Sequence, residues 1–265
     1  MIGEEVGRVG DGANDPASGA RTAANEAIAR GDLRGGYERT LDELRIRREG
    51  LEAQGRRWEL DLALVFVLAR AGSLATDLGC LSEAEEHLVL AEKATGLARK
   101  AYPGFDSDRT WEVARNRLGR LAFLKGDVGQ AVEVFADVLS RRRGRRFLEP
   151  NRNQSIYDIA VTLSFLALAR LHLGEGEAAM RLCGEAVFLL KPLVSVDRWR
   201  AAARLEMAWA LVVENATSAG TGDHLARARQ ILEEIRDHGE RDEKLWRVMK
   251  EAGMPVPGTE GGTLA

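Results

Sequence analysis

The chain has 265 residues, of which 45% are hydrophobic, so it can bury a sizeable core in one or two domains. Its formal net charge of −3 and its two cysteines argue against a strongly basic nucleic-acid binder and against a disulfide-stapled scaffold. The start of the chain is Gly-rich and polar rather than apolar, so the expected location is the cytoplasm.

Good helix formers dominate the chain after this start, and no stretch alternates between apolar and polar residues, so strands are not expected. The predicted helices fall into pairs: 17–30 with 33–53, 56–78 with 82–101, 108–125 with 128–143, 153–173 with 177–190, and 196–214 with 223–237. A last short helix is predicted at 241–252. The predicted organisation is a flexible lead at 1–16, one helical repeat domain at 17–252 and a flexible tail at 253–265.

Glycines mark the turns inside the first four pairs at a nearly constant spacing. Gly31, Gly79, Gly126 and Gly174 are 48, 47 and 48 residues apart. A fixed period of roughly 20 to 50 residues indicates a stacked-repeat protein. The expected fold is therefore all-α: a right-handed α-solenoid of about five antiparallel helix pairs with a C-terminal capping helix.

Side-chain capping is expected where helices begin, because Ser and Asp oxygens accept hydrogen bonds from the free amides there. The capping spacing occurs at three places: Ser82 to Glu85, Asp127 to Gln130, and Ser155 to Asp158.

Residue size also recurs at fixed distances after each turn glycine. Small residues come five positions later: Gly36, Ala84, Ala131 and Ala179. The ninth positions hold Thr40, Leu88, Phe135 and Cys183, and the twelfth hold Glu43, Ala91, Val138 and Ala186. Small residues let two antiparallel helices approach closely while larger ones fill the gap.

This pattern resembles the tetratricopeptide repeat (TPR). The best unit runs from Asn116-Arg117-Leu118-Gly119 to Phe135 and, with Tyr102-Pro103-Gly104 ahead of it, is similar to the kinesin-light-chain-like repeats of bacterial signalling proteins. The period is longer than the family's usual length of about 34 residues.

The resemblance implies a concave groove lined by the first helix of each pair. The groove residues that it implies are Ser73, Asp77, Asn116, Arg120, Ser164, Leu168 and Trp209. Asn116 falls where kinesin-light-chain-like repeats carry an asparagine that contacts the bound peptide.

No catalytic or metal-binding constellation emerges from the sequence. The four histidines fall in separate units, and none has a metal-ligand spacing. No nucleophile–base set can be assembled either. The chain is therefore expected not to be an enzyme and to need no cofactor or metal.

The densest charge run is a possible basic patch formed by Arg141, Arg142, Arg143, Arg145 and Arg146. It could contact nucleic-acid phosphate or an acidic partner. The alternative, which we favour, is a helix end whose side chains project into solvent in an inter-repeat loop.

Three function hypotheses remain open. The first is a non-enzymatic adaptor that binds a protein segment in its concave groove and could regulate a separate effector. The second is a regulatory sensor for a short peptide or small ligand. The third, the least favoured, is a nucleic-acid binder that uses residues 141–146. A membrane partner is not expected.

Overall fold

The structure is a computed structural model that describes residues 17–148, 153–217, 223–237, 245, 248–250 and 252–254, with the backbone alone at 147–148, 197–200 and 237. Within these ranges the chain forms α-helices and one 3-10 helix, and no strand. The α-helices are α1 Ser18–Ala29, α2 Leu33–Ala53, α3 Leu62–Asp77, α4 Leu81–Ala101, α5 Phe105–Leu124, α6 Val128–Leu148, α7 Asn153–His172, α8 Gly176–Val194, α9 Asp197–Thr217 and α10 His224–Asp237. The prediction of an all-α chain of consecutive helix pairs is confirmed.

The chain divides into two compact units, Met1–Leu121 and Ala122–Ala265. In the first unit α1 packs on α2, α2 on α3 and α3 on α4. In the second unit α6 packs on α7, α7 on α8, α8 on α9 and α9 on α10. The predicted lead at 1–16 lies outside the described residues, as does most of the predicted tail and of the last helix at 241–252.

All four turn glycines adopt the left-handed backbone conformation that commonly ends a helix. Their φ angles are 84° at Gly31, 77° at Gly79, 87° at Gly126 and 78° at Gly174. A side chain is strained in this conformation, so glycine is the residue that ends one helix and lets the next begin within two or three residues.

The capping predictions have mixed outcomes. Asp127 is confirmed as a cap, since its Oδ1 accepts a hydrogen bond from the Gln130 amide at 3.1 Å. The prediction for Ser82 is wrong. The Cys80 amide donates to the Ala75 carbonyl, and α4 begins before the serine. The prediction for Ser155 is also wrong, because this serine is fully buried inside α7.

The repeat positions form the core of both units. Every residue five, nine and twelve positions after a turn glycine is buried. In the first unit the close approach is visible at Gly72 of α3, where an added Cβ would lie 2.6 Å from Cγ of Leu88. The small residues therefore set the distance between the two helices of a pair.

One core position of the first pair holds a charge. Glu43 of α2 occupies a place that Ala91, Val138 and Ala186 fill in the later helix pairs, and it is 1% exposed. Its Oε1 is 3.0 Å from Nε of Arg47 and 3.5 Å from Nε of Arg21 on α1. Ion pairing therefore compensates a carboxylate that burial alone would disfavour.

Candidate functional site

In the first unit, the predicted groove residues lie on α3 and α5 and are more buried than an open groove would require. Asp77 of α3 forms an ion pair with Arg120 of α5, and the two side chains are 4% and 12% exposed. Ser73 lies one turn before Asp77 on α3 and is also nearly buried. The structure thus brings Asp77 and Arg120 together as a buried bridge between consecutive first helices.

Asn116 lies one turn before Arg120 on α5. The residue is 6% exposed, and its side-chain Oδ1 accepts no hydrogen bond within the described structure. A buried polar atom without a partner costs about 1–3 kcal/mol, so such an atom calls for an explanation. Asn116 matches the peptide-contacting asparagine of kinesin-light-chain-like repeats, and its oxygen is a hydrogen-bond acceptor that has no donor among the described residues.

In the second unit, the predicted residues Ser164, Leu168 and Trp209 lie on α7 and α9 in apolar surroundings. Ser164 is fully buried, and its hydroxyl donates to the Ala160 carbonyl of its own helix at 3.1 Å. Leu168 is half-buried. Trp209 is nearly buried, and its indole N–H donates to no acceptor within the described residues.

Aromatic rings surround these residues of the second unit. The Phe165 ring of α7 lies 6.1 Å from the Trp209 ring and stacks on Phe135 of α6 at 5.7 Å. The Phe123 ring meets the His172 ring edge-on at 4.7 Å. Sequence reasoning missed Phe123 and His172, which lie three and two residues before turn glycines, near the C-terminal ends of α5 and α7.

The arginine run lies in the last turns of α6, not in an inter-repeat loop, and its side chains divide between two environments. The prediction that they all project into solvent is wrong for Arg142 and Arg145, which are 2% and 9% exposed. Arg141 and Arg143 are exposed, and Arg146 is half-buried. The physical reason is helical spacing, since residues 142 and 145 are three apart and share the face that packs on α7.

The two buried arginines hold α6 against α7. Arg142 donates to the Asp158 carbonyl and to the Thr162 hydroxyl. Arg145 lies 3.6 Å from the Asp158 carboxylate. The exposed Arg143 instead pairs with Glu185 of α8 at 2.7 Å. The run therefore offers less basic surface to nucleic acid than its sequence indicates.

A polar cluster between α2 and α4 was not found by sequence reasoning. The buried Tyr37 hydroxyl lies 3.0 Å from both Glu83 Oε2 and His87 Nε2. Burial, and then the hydrogen bond to Glu83, raises the pKa of Tyr37 to about 12. Burial lowers the pKa of His87 from its usual 6.5, against the opposing effect of Glu86 and Glu83.

Within the part of the chain that the structure describes, no group of three or more His, Cys, Asp or Glu side chains could hold a metal ion. Both cysteines are free thiols, and burial raises the pKa of Cys183 to about 12. Among the described helices α7 alone is long and apolar enough to cross a membrane. Its most apolar stretch is 61% buried inside the fold, as expected for a core helix.

Together, the left-handed glycine turns and the buried small residues after them define an all-α fold of repeated helix pairs. Two solved structures are similar to this chain, and both contain the nearly identical TPR-like repeats of a Podosopora anserina protein that carries the name kinesin light chain. One, a point variant, is 20% identical over 83% of this chain and 92% of its own, with a TM-score of 0.48. The other is 20% identical over 84% and 96%, with a TM-score of 0.47. No protein-family model matches the chain, and no curated protein matches it.

Proposed function

We propose that this chain is a non-enzymatic adaptor that binds a segment of a partner protein on the first-helix face of its first unit. Stacked helical repeats present extended surfaces that commonly bind other proteins. The observation that carries the proposal is Asn116, whose buried Oδ1 lacks a hydrogen bond among the residues that the structure describes. Because this oxygen is shielded from solvent, the Asn116 amide would have to turn outward before a main-chain N–H of the bound segment could supply that bond. Binding a partner in this way would let the adaptor regulate a separate effector.

The Asp77–Arg120 pair supports this assignment in a structural way. It ties α3 to α5 one turn away from Asn116, so the amide is held on a rigid face. Because the two charges neutralise each other, this face selects for hydrogen-bonding geometry rather than for a strongly charged partner.

Replacing Asn116 by leucine tests the proposal. The substitution removes the unsatisfied oxygen while keeping the side-chain volume, so the free energy of unfolding should stay the same or rise. Peptides would be selected against the wild-type chain from a phage-displayed random library, and their affinities measured by calorimetry. We expect the variant to bind them about 5- to 150-fold more weakly, which is the loss of affinity that about 1–3 kcal/mol produces.

Lys93→Ala is the matched control, because Lys93 is exposed on the second helix α4 of the same unit. It should leave peptide affinity unchanged. Selected peptides that bind Asn116→Leu as tightly as the wild type would contradict the proposal, as would a leucine variant that is clearly less stable.

A further inference from the structure

The outward face of α8 carries exposed residues that the proposed function does not use. The inward positions of this helix hold core residues such as Cys183 and Leu190. The opposite positions form a single stripe, here called the α8 outer stripe: Glu177, Met180, Gly184, Phe188 and Lys191. At about 100° per residue, all five lie within about 40° of the direction of Gly184.

The apolar members of the α8 outer stripe are unusually exposed. Phe188 is 70% exposed, the highest value among the large hydrophobic residues that the structure describes, and Met180 is 46% exposed. Burying a Phe or Met side chain contributes about 1.5–3 kcal/mol, so leaving both in water forgoes a substantial stabilisation. Exposed apolar patches of this kind mark interaction surfaces.

The stripe is symmetric about Gly184. Met180 and Phe188 lie four residues on either side of it, and Glu177 and Lys191 lie seven residues on either side. An antiparallel copy of α8, related by a two-fold axis at Gly184, would therefore place Phe188 against Met180 and Lys191 against Glu177 of the second copy. A surface that is complementary to itself is the requirement for an isologous dimer.

Among the described residues, nothing close to Gly184 requires a glycine at this position. A Cβ added there would meet nothing within 4 Å. A glycine in a helix interior costs about 1 kcal/mol relative to alanine, and at a crossing point it lets a second helix approach closely. The glycine is therefore placed where a two-fold contact would bring the helices nearest.

The other second helices lack the pattern at the same distances from their turn glycines. In α4 the places of Met180 and Phe188 are taken by Glu85 and Lys93. In α6 they are taken by Val132, which is buried, and Ser140, which is polar. The α8 outer stripe is thus particular to α8 and does not recur at the same positions of α4 and α6.

We propose that two copies of this chain associate through the α8 outer stripe, antiparallel, about a two-fold axis at Gly184. One helix face per copy is a small contact compared with the roughly 1,200–2,000 Å² of a standard stable interface. The dimer is therefore weak and depends on protein concentration. The Arg181–Glu177 pair on the same helix does not compete strongly, because both side chains are largely exposed and 3.6 Å apart.

Charge reversal tests both the surface and its register. Sedimentation velocity over a range of concentrations should show a monomer–dimer equilibrium for the wild type. Glu177→Lys and Lys191→Glu should each shift the chain towards monomer, since each places like charges opposite one another. An equimolar mixture of the two variants should dimerise again, because both contacts in the mixed dimer pair a lysine with a glutamate.

Phe188→Ala should weaken the association by about tenfold or more, as expected for a central apolar anchor. Tyr102→Ala is the matched control, because Tyr102 is a 62% exposed ring in the first unit, and it should change nothing. Under mild oxidation Gly184→Cys should form a covalent dimer, whereas Gly129→Cys, an open glycine of α6, should not.

Three results would overturn the inference. They are a wild type that stays monomeric at every concentration, single charge variants that associate as the wild type does, and a mixture that fails to regain the dimer. None of these depends on peptide binding, so this proposal and the proposed function can fail separately.

Discussion

In the first unit polar side chains join neighbouring first helices in addition to their apolar packing, whereas in the second unit the contact between first helices is made by rings. Arg70 of α3 donates to Asn25 of α1 at 2.7 Å, and Arg120 of α5 pairs with Asp77 of α3. In the second unit the corresponding contact between α7 and α9 is Phe165 on Trp209. One repeat frame therefore supports two kinds of contact between its first helices.

The difference between the units separates the residues that pair the two helices of a repeat from those that form the contacts between first helices. The small residues after each turn glycine are buried in both units, so they set the pairing of helices regardless of what the first helices contact. The residues that differ between units are those that face the next first helix. Polar contacts there depend on geometry and on both partners being present, while ring contacts tolerate small shifts.

The largest expected effect comes from breaking the buried ion pair of the first unit. Arg120→Ala should lower the free energy of unfolding by about 3–5 kcal/mol, because it removes the cation that is paired with the nearly buried Asp77 carboxylate. The second unit offers the contrast in Arg143→Ala, where the Glu185 pair is exposed and worth about 0–1 kcal/mol. Urea unfolding would measure both, and equal losses would refute the distinction between the two pairs.

The second unit also contains a buried arginine, so the contrast between a buried and an exposed cation can be tested there too. Arg142→Gln should cost about 1.5–3 kcal/mol, because it removes charged hydrogen bonds to the Asp158 carbonyl and the Thr162 hydroxyl. Arg141→Gln should change stability by less than about 1 kcal/mol, since its ion pair with Asp137 is exposed. Thermal unfolding of the two variants would compare them, and similar melting temperatures would show that Arg142 does not hold α6 to α7.

A substitution at the shared frame should affect both units in the same direction. Ala131→Leu should overpack the second unit by about 1–3 kcal/mol, because Ala131 is fully buried. Gly36→Ala tests the same repeat position in the first unit, where the new Cβ would lie 2.5 Å from Cγ1 of the buried Ile28. Chemical denaturation would measure both losses. A variant that melts like the wild type would show that this position is not a close approach.

The smallest expected effect is a dependence on pH in the first unit. The pKa of His87 is lowered in the folded chain, so the unfolded chain binds a proton more readily. Stability should therefore fall as the pH drops below about 6.5, the usual histidine value. Comparing urea midpoints of the wild type and His87→Gln at several pH values isolates the contribution of His87 to the pH dependence of stability. Parallel curves for the two proteins would contradict it.

Much of the fold could be predicted because glycine turns and small residues are local signals with one structural meaning. The bounds predicted for α2 match those observed, and all four turn glycines have positive φ. The capping prediction at Ser82 failed because the N-cap residue is Cys80, two residues earlier, so Ser82 lies inside α4. Boundaries of this kind are decided by backbone hydrogen bonds that the sequence does not display.

The candidate site was harder to predict, since it depends on contacts between helices far apart in sequence. Asp77 and Arg120 were both placed on the first-helix face, but their pairing needed the structure. The arginine run was misread because a charge run has no preferred face until a neighbouring helix supplies buried acceptors such as the Asp158 carbonyl. The binding of a partner by Asn116 remains a prediction.

The charge at Glu43 has a consequence for how the molecule opens. The buried residues of α1 are only Ala24, Ala27 and Ile28, and Arg21 ties this helix to a carboxylate rather than to an aliphatic core. Native-state hydrogen exchange should therefore find the first pair opening at a lower free energy than α3 and α4, whose facing surfaces are apolar. The first helix pair, α1 and α2, would then unfold in a separate cooperative step while the following pair stays folded.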